Sequence, residues 1–191
     1  PSLYFTNNVA YSQNLFEAML THNVKRLVFS STAAVYASKN ATLNEDDPYA
    51  PANVYGETKL MIEGMIRWYH RQVGLKYCIL RYFNACGATL DSDGRAIRGE
   101  AHTPETHLIP LALQVPLGQR PTIAIYGTDY PTYDGTCVRD YVHVRDLAEA
   151  HVLAVGAIDE RESMTYNLGN GRGYSVREVI DTARAVTGHD L

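Results

Sequence analysis

Two short apolar runs constrain this 191-residue chain more than any other feature. Val24 to Ser30 carries the core Leu27-Val28-Phe29 and ends in small hydroxyl residues, and Leu75 to Tyr82 is nearly continuous in apolar character. Such runs read as strands buried on both faces. Each follows a helical pattern. Thr6 or Asn7 is placed to cap a helix running to about His22, with Val9, Phe16, Met19 and Leu20 on its apolar side. Residues 54–73 carry Val54, Leu60, Met61, Met65, Ile66 and Trp68, and Gly74 is placed to end that helix. Helix, strand, helix, strand with doubly buried strands predicts an α/β fold built on a doubly wound parallel sheet.

The rest of the chain is looser. A polar loop rich in Asn, Asp and Pro occupies 39–53. Past Gly87, a Gly/Asp-rich loop at 91–99 leads to a predicted helix over 107–117, a strand over 122–126 and a turn-rich stretch over 127–135. A helix over 144–157 has Asp146 and Glu149 early, as the helix dipole favours. Asn167-Leu168-Gly169 ends a short strand, and Ser175 with Glu178 three residues on has capping-box spacing. There are no repeats and no low-complexity segments.

Composition removes several classes of function. Hydrophobic residues make up 46% and charged residues 20%, the balance of a globular domain, and the formal net charge is -4. Nucleic acid is therefore not expected as the main partner, because a phosphate-backbone binder clusters excess Lys and Arg. No apolar run approaches the length of a membrane span and there is no secretory leader pattern. Cys78, Cys86 and Cys137 are irregularly spaced, which fits small buried residues in a reducing cytoplasm. His102 and His107 lie close together without an HExxH arrangement or an acidic companion at ligand spacing, so no metal site is expected.

Tyr55 and Lys59 carry the chemistry. Four apart on a helix, they share one face. A phenol with a pKa of about 10 is a poor base at neutral pH, and a nearby cation favours its ionised form. The hydroxyl-rich strand end Ser30-Ser31-Thr32 precedes them, and in α/β sheets ligands bind at the carboxyl ends of strands. Strand end and helix together can deliver a hydroxyl, a phenol and an ammonium to one cleft.

These residues also carry a resemblance. Ser-Ser-Thr-Ala-Ala-Val-Tyr (30–36), Tyr-Gly-Glu-Thr-Lys (55–59) and Leu-Arg-Tyr-Phe-Asn-Ala-Cys-Gly-Ala (80–88) resemble the extended short-chain dehydrogenase/reductase family. The stretch from Gly127 to His143, with Pro104 to Pro110 and Tyr166 to Gly169, is similar to the UDP-hexose 4-epimerases within it. The resemblance covers essentially the whole chain. It implies an incomplete Rossmann-type sheet with part of a smaller mixed α/β substrate domain. The implied division is an NAD-binding part at 1–87, rejoined by 140–157, and a UDP-sugar-binding part at 88–139 and 158–191.

The resemblance also implies roles. Tyr55 is the base at the sugar 4-hydroxyl, Lys59 binds the nicotinamide ribose and lowers the Tyr55 pKa, and Thr32 bridges Tyr55 to the substrate. Asn7, Ser30, Ser31, Tyr82 and Phe83 fall on NAD-contacting positions. Asn84, His107, Leu108, Ala124, Tyr126, Arg139 and Tyr141 fall on positions that hold or line the UDP moiety. A guanidinium suits a diphosphate better than an ammonium does, although Arg139 could instead form a surface ion pair with Asp140. The implied reaction interconverts UDP-glucose and UDP-galactose by transient oxidation at C4, with NAD regenerated in each cycle.

Ala33 and Ala34 stand where nucleotide-sugar 4,6-dehydratases carry an acid/base pair, and alanine cannot transfer protons. Epimerases of UDP-N-acetylhexosamines, UDP-pentoses or UDP-glucuronate remain alternatives, as does a silent nucleotide-sugar-binding module. The chain begins at Pro1 and goes almost at once into a helix, which reads as an excerpt. A Gly-rich βα turn for the NAD pyrophosphate is expected some 90 residues of βα units upstream, and activity is expected of the longer parent alone. The resemblance further implies a homodimer through the helices near 7–22 and 54–73.

Overall fold

The two apolar runs do form parallel strands, and a third joins them. In the computed structural model, which describes residues 1–39 and 41–191, the chain divides into two compact units. The first comprises residues 1–83 and 146–168. Short helix α1 (Ser2–Tyr4), a π-helical turn (Phe5–Ala10) and α2 (Tyr11–Thr21) open it. Strand β1 (Arg26–Thr32) follows, then α3 (Val54–Val73) and β2 (Lys76–Tyr82). β1 pairs with β2 in parallel from Arg26↔Lys76 to Thr32↔Tyr82, and β2 pairs in parallel with a strand at Ser163–Leu168.

The alternation of β2 builds both faces of this sheet. Tyr77 and Ile79 pack with Phe16, Met19, Ile62 and Ile66 from α2 and α3. Cys78 and Leu80 pack on the other face with Ala154, Ile158 and Met164. Each fully buried Ile or Leu in such a layer contributes about 1.5–3 kcal/mol. α3 is set at both ends: the Asn53 side chain accepts from Gly56 N at 2.8 Å, and Gly74 adopts the left-handed conformation at φ 70°.

The second unit comprises residues 84–145 and 169–191. It holds β3 (Asn84–Cys86), β4 (Thr89–Leu90), β5 (Ala96–Arg98), α4 (Leu108–Leu113) and β6 (Val138–His143). Helix α5 (Val144–Arg161) and β7 (Ser163–Leu168) then lie largely in the first unit, before β8 (Gly173–Ser175) and α6 (Val176–Thr187) complete the second. β6 pairs in parallel with β3 and antiparallel with β8, and β4 pairs with β5. The Ser175–Glu178 capping box forms as its spacing predicts.

Several expectations change. Neither Thr6 nor Asn7 caps a helix, because helical structure already begins at Ser2. The loop at 91–99 contributes β5 to a short hairpin. The helix expected over 107–117 stops at Leu113, where the chain turns back through Gly118 N→Val115 O and Gln119 N→Gln114 O; Pro116 has no N–H with which to continue it. Residues 122–126 have an alternating pattern but pair with no strand among the described residues. The unit boundaries also shift: 158–168 belongs to the first unit, where β7 lies beside β2 in the parallel sheet, while 84–87 and 140–145 belong to the second.

Candidate active site

The start of α3 is pressed against the loop that leaves β1. A Cβ on Gly56 would stand 2.3 Å from the Ala34 carbonyl oxygen, so only glycine lets the helix approach this closely. This contact brings the Tyr55 and Lys59 side chains of α3 to the carboxyl end of β1. Lys59 Nζ donates to the Ser30 carbonyl at 2.9 Å and lies 4.9 Å from the Phe29 ring centroid and 5.8 Å from that of Tyr55. Burial lowers the Lys59 pKa from its ordinary value.

Tyr55 keeps 38% of its surface exposed, with Thr32 and Tyr82 beside it. Burial raises its pKa and Tyr82 adds to the rise, while the Thr32 hydroxyl pulls the other way without reversing it. The expected lowering of the phenol by Lys59 is therefore not what the chain itself produces. The ammonium is turned to the Ser30 carbonyl, and desolvation of the phenol dominates.

The NAD-contacting positions divide. The Ser30 hydroxyl lies 3.0 Å from His151 Nε2. His151 Nδ1 is 2.7 Å from the Leu147 carbonyl, so Nδ1 carries the proton and Nε2 accepts from Ser30. The strand pairing puts Tyr82 beside Thr32, and the Tyr82 ring centroid is 6.3 Å from that of His151. Phe83 follows at the end of β2, half-buried, and Asn7 is exposed on the π-helical turn. Ser31 departs from expectation. It is buried and its hydroxyl donates to Glu63 Oε1 at 2.6 Å, so the hydroxyl faces the core rather than a ligand.

That bond opens onto a network missed at the level of sequence. Glu63 lies one turn beyond Lys59 on α3 and is fully buried with Arg81 of β2. Arg81 Nε and Nη2 reach Glu63 Oε1 and Oε2 at 2.9 and 2.6 Å, a bidentate pair. Its Nη1 donates to Tyr36 Oη at 2.5 Å and its Nη2 to Tyr49 Oη at 2.9 Å, both rings lying within 5.0 Å of the guanidinium carbon. Burial alone would raise the Glu63 pKa, but hydrogen bonds from Arg81 and Ser31 and the charges of Arg81 and Arg67 hold it below the ordinary value. One signal could have found the pair: an Arg inside an otherwise apolar strand and a Glu on the apolar face of a helix each need a buried partner.

In the second unit, Asn84 Nδ2 donates to the Asp140 carbonyl at 3.0 Å, and Asn84 sits opposite Tyr141 in the β3–β6 register. The alternative Arg139–Asp140 ion pair does not form. Arg139 is exposed and donates to the Val138 carbonyl, while the Asp140 carboxylate accepts from the backbone of Asn170 and Gly171 at 2.9 and 3.0 Å. Among the described residues no carboxylate pairs with Arg139. His107 precedes α4, Leu108 begins it, and Ala124 and Tyr126 are exposed on the unpaired segment, Tyr126 at 84%.

His102 and His107 prove to have acidic companions. Glu100 and Glu105 converge with them, against the expectation from spacing alone. No helix among the described residues is long and apolar enough to cross a membrane.

Comparison with known proteins bears on the whole arrangement. The UDP-glucose 4-epimerase of Halalkalibacterium halodurans is 53% identical over 193 residues, covering 100% of this chain and 57% of that protein. The UDP-glucose 4-epimerase of Streptomyces lividans is 50% identical over 192 residues, covering 100% and 56%. A crystal structure of UDP-glucose 4-epimerase superposes with a TM-score of 0.93 at 49% identity, over 100% of this chain and 57% of the other. That of UDP-glucose 4-epimerase from Brucella ovis in complex with NAD gives 0.89 at 45% identity, over 97% and 56%. The chain thus spans a little over half the length of these relatives. Residues 1–169 match the NAD dependent epimerase/dehydratase family, and those residues include the whole parallel sheet, Thr32 at its edge and the Tyr55–Lys59 turn; the chain belongs to that family.

Proposed function

We propose that the protein of which these 191 residues form a part interconverts UDP-glucose and UDP-galactose by reversible oxidation at sugar C4. The observation that carries this reading is the Tyr55 phenol beside Thr32, with the Lys59 ammonium one turn behind it, at the carboxyl end of a parallel strand. The similarity to proteins named UDP-glucose 4-epimerase supports the choice of substrate.

The residues present fit the nicotinamide end of NAD. Lys59 has three N–H donors and directs one to Ser30, which leaves donors for a ribose diol, and the Thr32 hydroxyl lies against that of Tyr55. NAD, when bound, supplies the acceptor and later the donor of the hydride exchanged at C4. Thr32 bridges the sugar 4-hydroxyl to Tyr55, whose Oη takes the proton and later returns it. Burial holds the phenol above its ordinary pKa in the chain alone. Taking the proton therefore requires the phenolate, which the Lys59 ammonium and the positive charge of a bound nicotinamide ring would favour; the phenol so formed is the proton donor of the return step. Lys59 orients the ribose and adds positive charge behind the phenol. Asn84, His107, Leu108 and Arg139, with Ala124, Tyr126 and Tyr141, are proposed to hold the UDP moiety while the 4-keto sugar turns over. Arg139, exposed and without a carboxylate partner among the described residues, suits a diphosphate.

Ala33 and Ala34 lead into the β1–α3 loop and offer no acid or base, which disfavours dehydration. A homodimer through α2 and α3 belongs to the same reading, supported by exposed Tyr11, Leu15, Met61 and Trp68 on those helices. So does a reducing cytoplasmic setting, which the buried thiol of Cys78 suits.

The test is Tyr55→Phe in the full-length protein, assayed for conversion of UDP-galactose to UDP-glucose. The expected result is a fall in kcat of about 10²–10⁴ with KM little changed, the range for loss of a positioned acid/base. An unchanged rate, or no interconversion by the unsubstituted protein, refutes the reading.

A further inference from the structure

The segment before α4 gathers four metal-ligating side chains that the proposed reaction does not require as a set. Glu100, His102, Glu105 and His107 each present one donor atom, and all four atoms lie within 4.8 Å of one another. We propose that these residues form a binding site for a divalent first-row transition metal, Zn²⁺ being the probe that tests it.

Three features of the cluster carry the assignment. The donor set is two imidazoles and two carboxylates, which suits Zn²⁺ and its neighbours better than the all-oxygen shells of Mg²⁺ or Ca²⁺. Charge also closes, since two carboxylates and two neutral imidazoles together balance one dication. The geometry is near what a metal needs. Glu100 Oε1 stands 3.2 Å from His102 Nδ1, close to the edge of about 3.4 Å in a tetrahedron with metal–ligand bonds of about 2.1 Å. Glu105 Oε1 stands 2.7 Å from His107 Nδ1, a hydrogen bond that must open toward that edge to admit an ion, and the two imidazole centroids are 5.3 Å apart.

Closing the 4.8 Å spread needs a shift of about an ångström, which three of the four side chains are free to make. Glu100, His102 and His107 are 45%, 56% and 53% exposed. The fourth is the fixed post of the site. The Glu105 side chain is 8% exposed and its Oε1 accepts from the backbone N–H groups of Thr106 and His107, each at 2.7 Å. Metal binding would replace the contact within each His–Glu pair, each neutral imidazole carrying its N–H on the ring nitrogen turned away from the ion. A bound ion would clip residues 100–107 to the start of α4, and with them His107 and Leu108.

The experiment is isothermal titration of ZnCl₂ into EDTA-dialysed full-length protein without sugar nucleotide, so its outcome is independent of the epimerase reading. One Zn²⁺ per chain with Kd of about 1 μM or tighter is expected. The double variant with Glu100→Gln and His102→Ala alters two exposed side chains, so its metal-free melting curve should match that of the unsubstituted protein. Its affinity should fall by more than the roughly 10–100-fold typical of losing a metal-site supporting residue. Absence of stoichiometric uptake by the unsubstituted protein, or equal affinity in the double variant, would show that the cluster is a set of surface hydrogen bonds and no metal site.

Discussion

The two units order their polar groups by opposite means. In the first, charge is buried outright: Glu63 and Arg81 are fully enclosed and satisfy each other together with Ser31, Tyr36 and Tyr49. In the second, carboxylates stay near the surface and shape loops one at a time. Asp91 accepts from the backbone of Asp93 and Arg95, Glu105 from Thr106 and His107, Asp134 from Thr136, and Asp140 from Asn170 and Gly171. The buried network ties helix α3, strands β1 and β2 and the loop between them into a single arrangement, one turn from Lys59. The surface carboxylates each hold a short stretch of backbone, and Asp134 meets Glu178 at a shared residue, Ser175. Precision is therefore concentrated behind the proposed catalytic residues, and adaptability lies in the unit proposed to hold the nucleotide.

Removing one partner of the buried pair should break that contrast most severely. Arg81→Met leaves the Glu63 carboxylate enclosed with only Ser31 and the partly exposed Arg67 facing it. Losing one partner of a buried pair costs about 3–5 kcal/mol, and Arg67 should hold the loss to the lower end of that range. Urea unfolding should show this loss at pH 7. The double variant Glu63→Leu/Arg81→Met should recover most of it, because a well-packed apolar pair replaces the ionic one at little net cost. A double variant as unstable as Arg81→Met alone would mean that shape rather than charge governs the site.

Acid sharpens the same comparison with a smaller effect. The folded Glu63 pKa is depressed, so its contribution is intact above the unfolded value of about 4.3 and is lost as pH falls through the folded value. In Arg81→Met the sign should invert. Burial then dominates and raises the carboxyl, so the penalty is present at neutral pH and relieved on acidification as Glu63 takes up a proton. The stability gap between the two proteins should accordingly narrow between pH 7 and about 4.5. A gap that holds constant or widens would show that the Glu63 pKa is not raised in the variant, its charge still being met by Arg67 and Ser31.

The difference between the units also explains what the sequence made legible. Tyr55 and Lys59 could be found because helical periodicity alone puts residues four apart on one face. The strands were visible because β2 is buried on both sides and its composition says so. The Glu63–Arg81 pair was not found, because its members are 18 residues apart and meet only once α3 lies on the sheet. In the second unit the legible feature was again local, the Ser175–Glu178 box. Strands β3, β5 and β8 have three residues each, too few to show a period, and residues 122–126 have a period but no strand partner. The convergence of Glu100, His102, Glu105 and His107 escaped because the two glutamates match no familiar spacing with the histidines until the loop folds.

The mildest expected effect tests whether the second unit is built from separable local devices. Ser175 Oγ accepts from Glu178 N at 3.0 Å, and Glu178 Oε2 accepts from Ser175 N at 2.8 Å, closing the first turn of α6. The same hydroxyl donates to Asp134 Oδ2 at 2.6 Å, and Asp134 Oδ1 takes the Thr136 amide and hydroxyl at 2.8 Å. Loss of an N-cap hydroxyl costs about 1 kcal/mol, within a range of roughly 0.5–2. Ser175→Ala should fall in the upper half of that range, because Asp134 loses a donor together with the cap, while Ser175→Asp keeps the cap but sets a second carboxylate against Asp134. The order of stability should therefore be Ser, then Ala, then Asp, a reversal of the usual equivalence of Ser and Asp at helix N-caps. If Asp restores the stability lost in the alanine variant, Asp134 is not coupled to the cap, and the surface carboxylates of this unit act separately even where they share a hydroxyl.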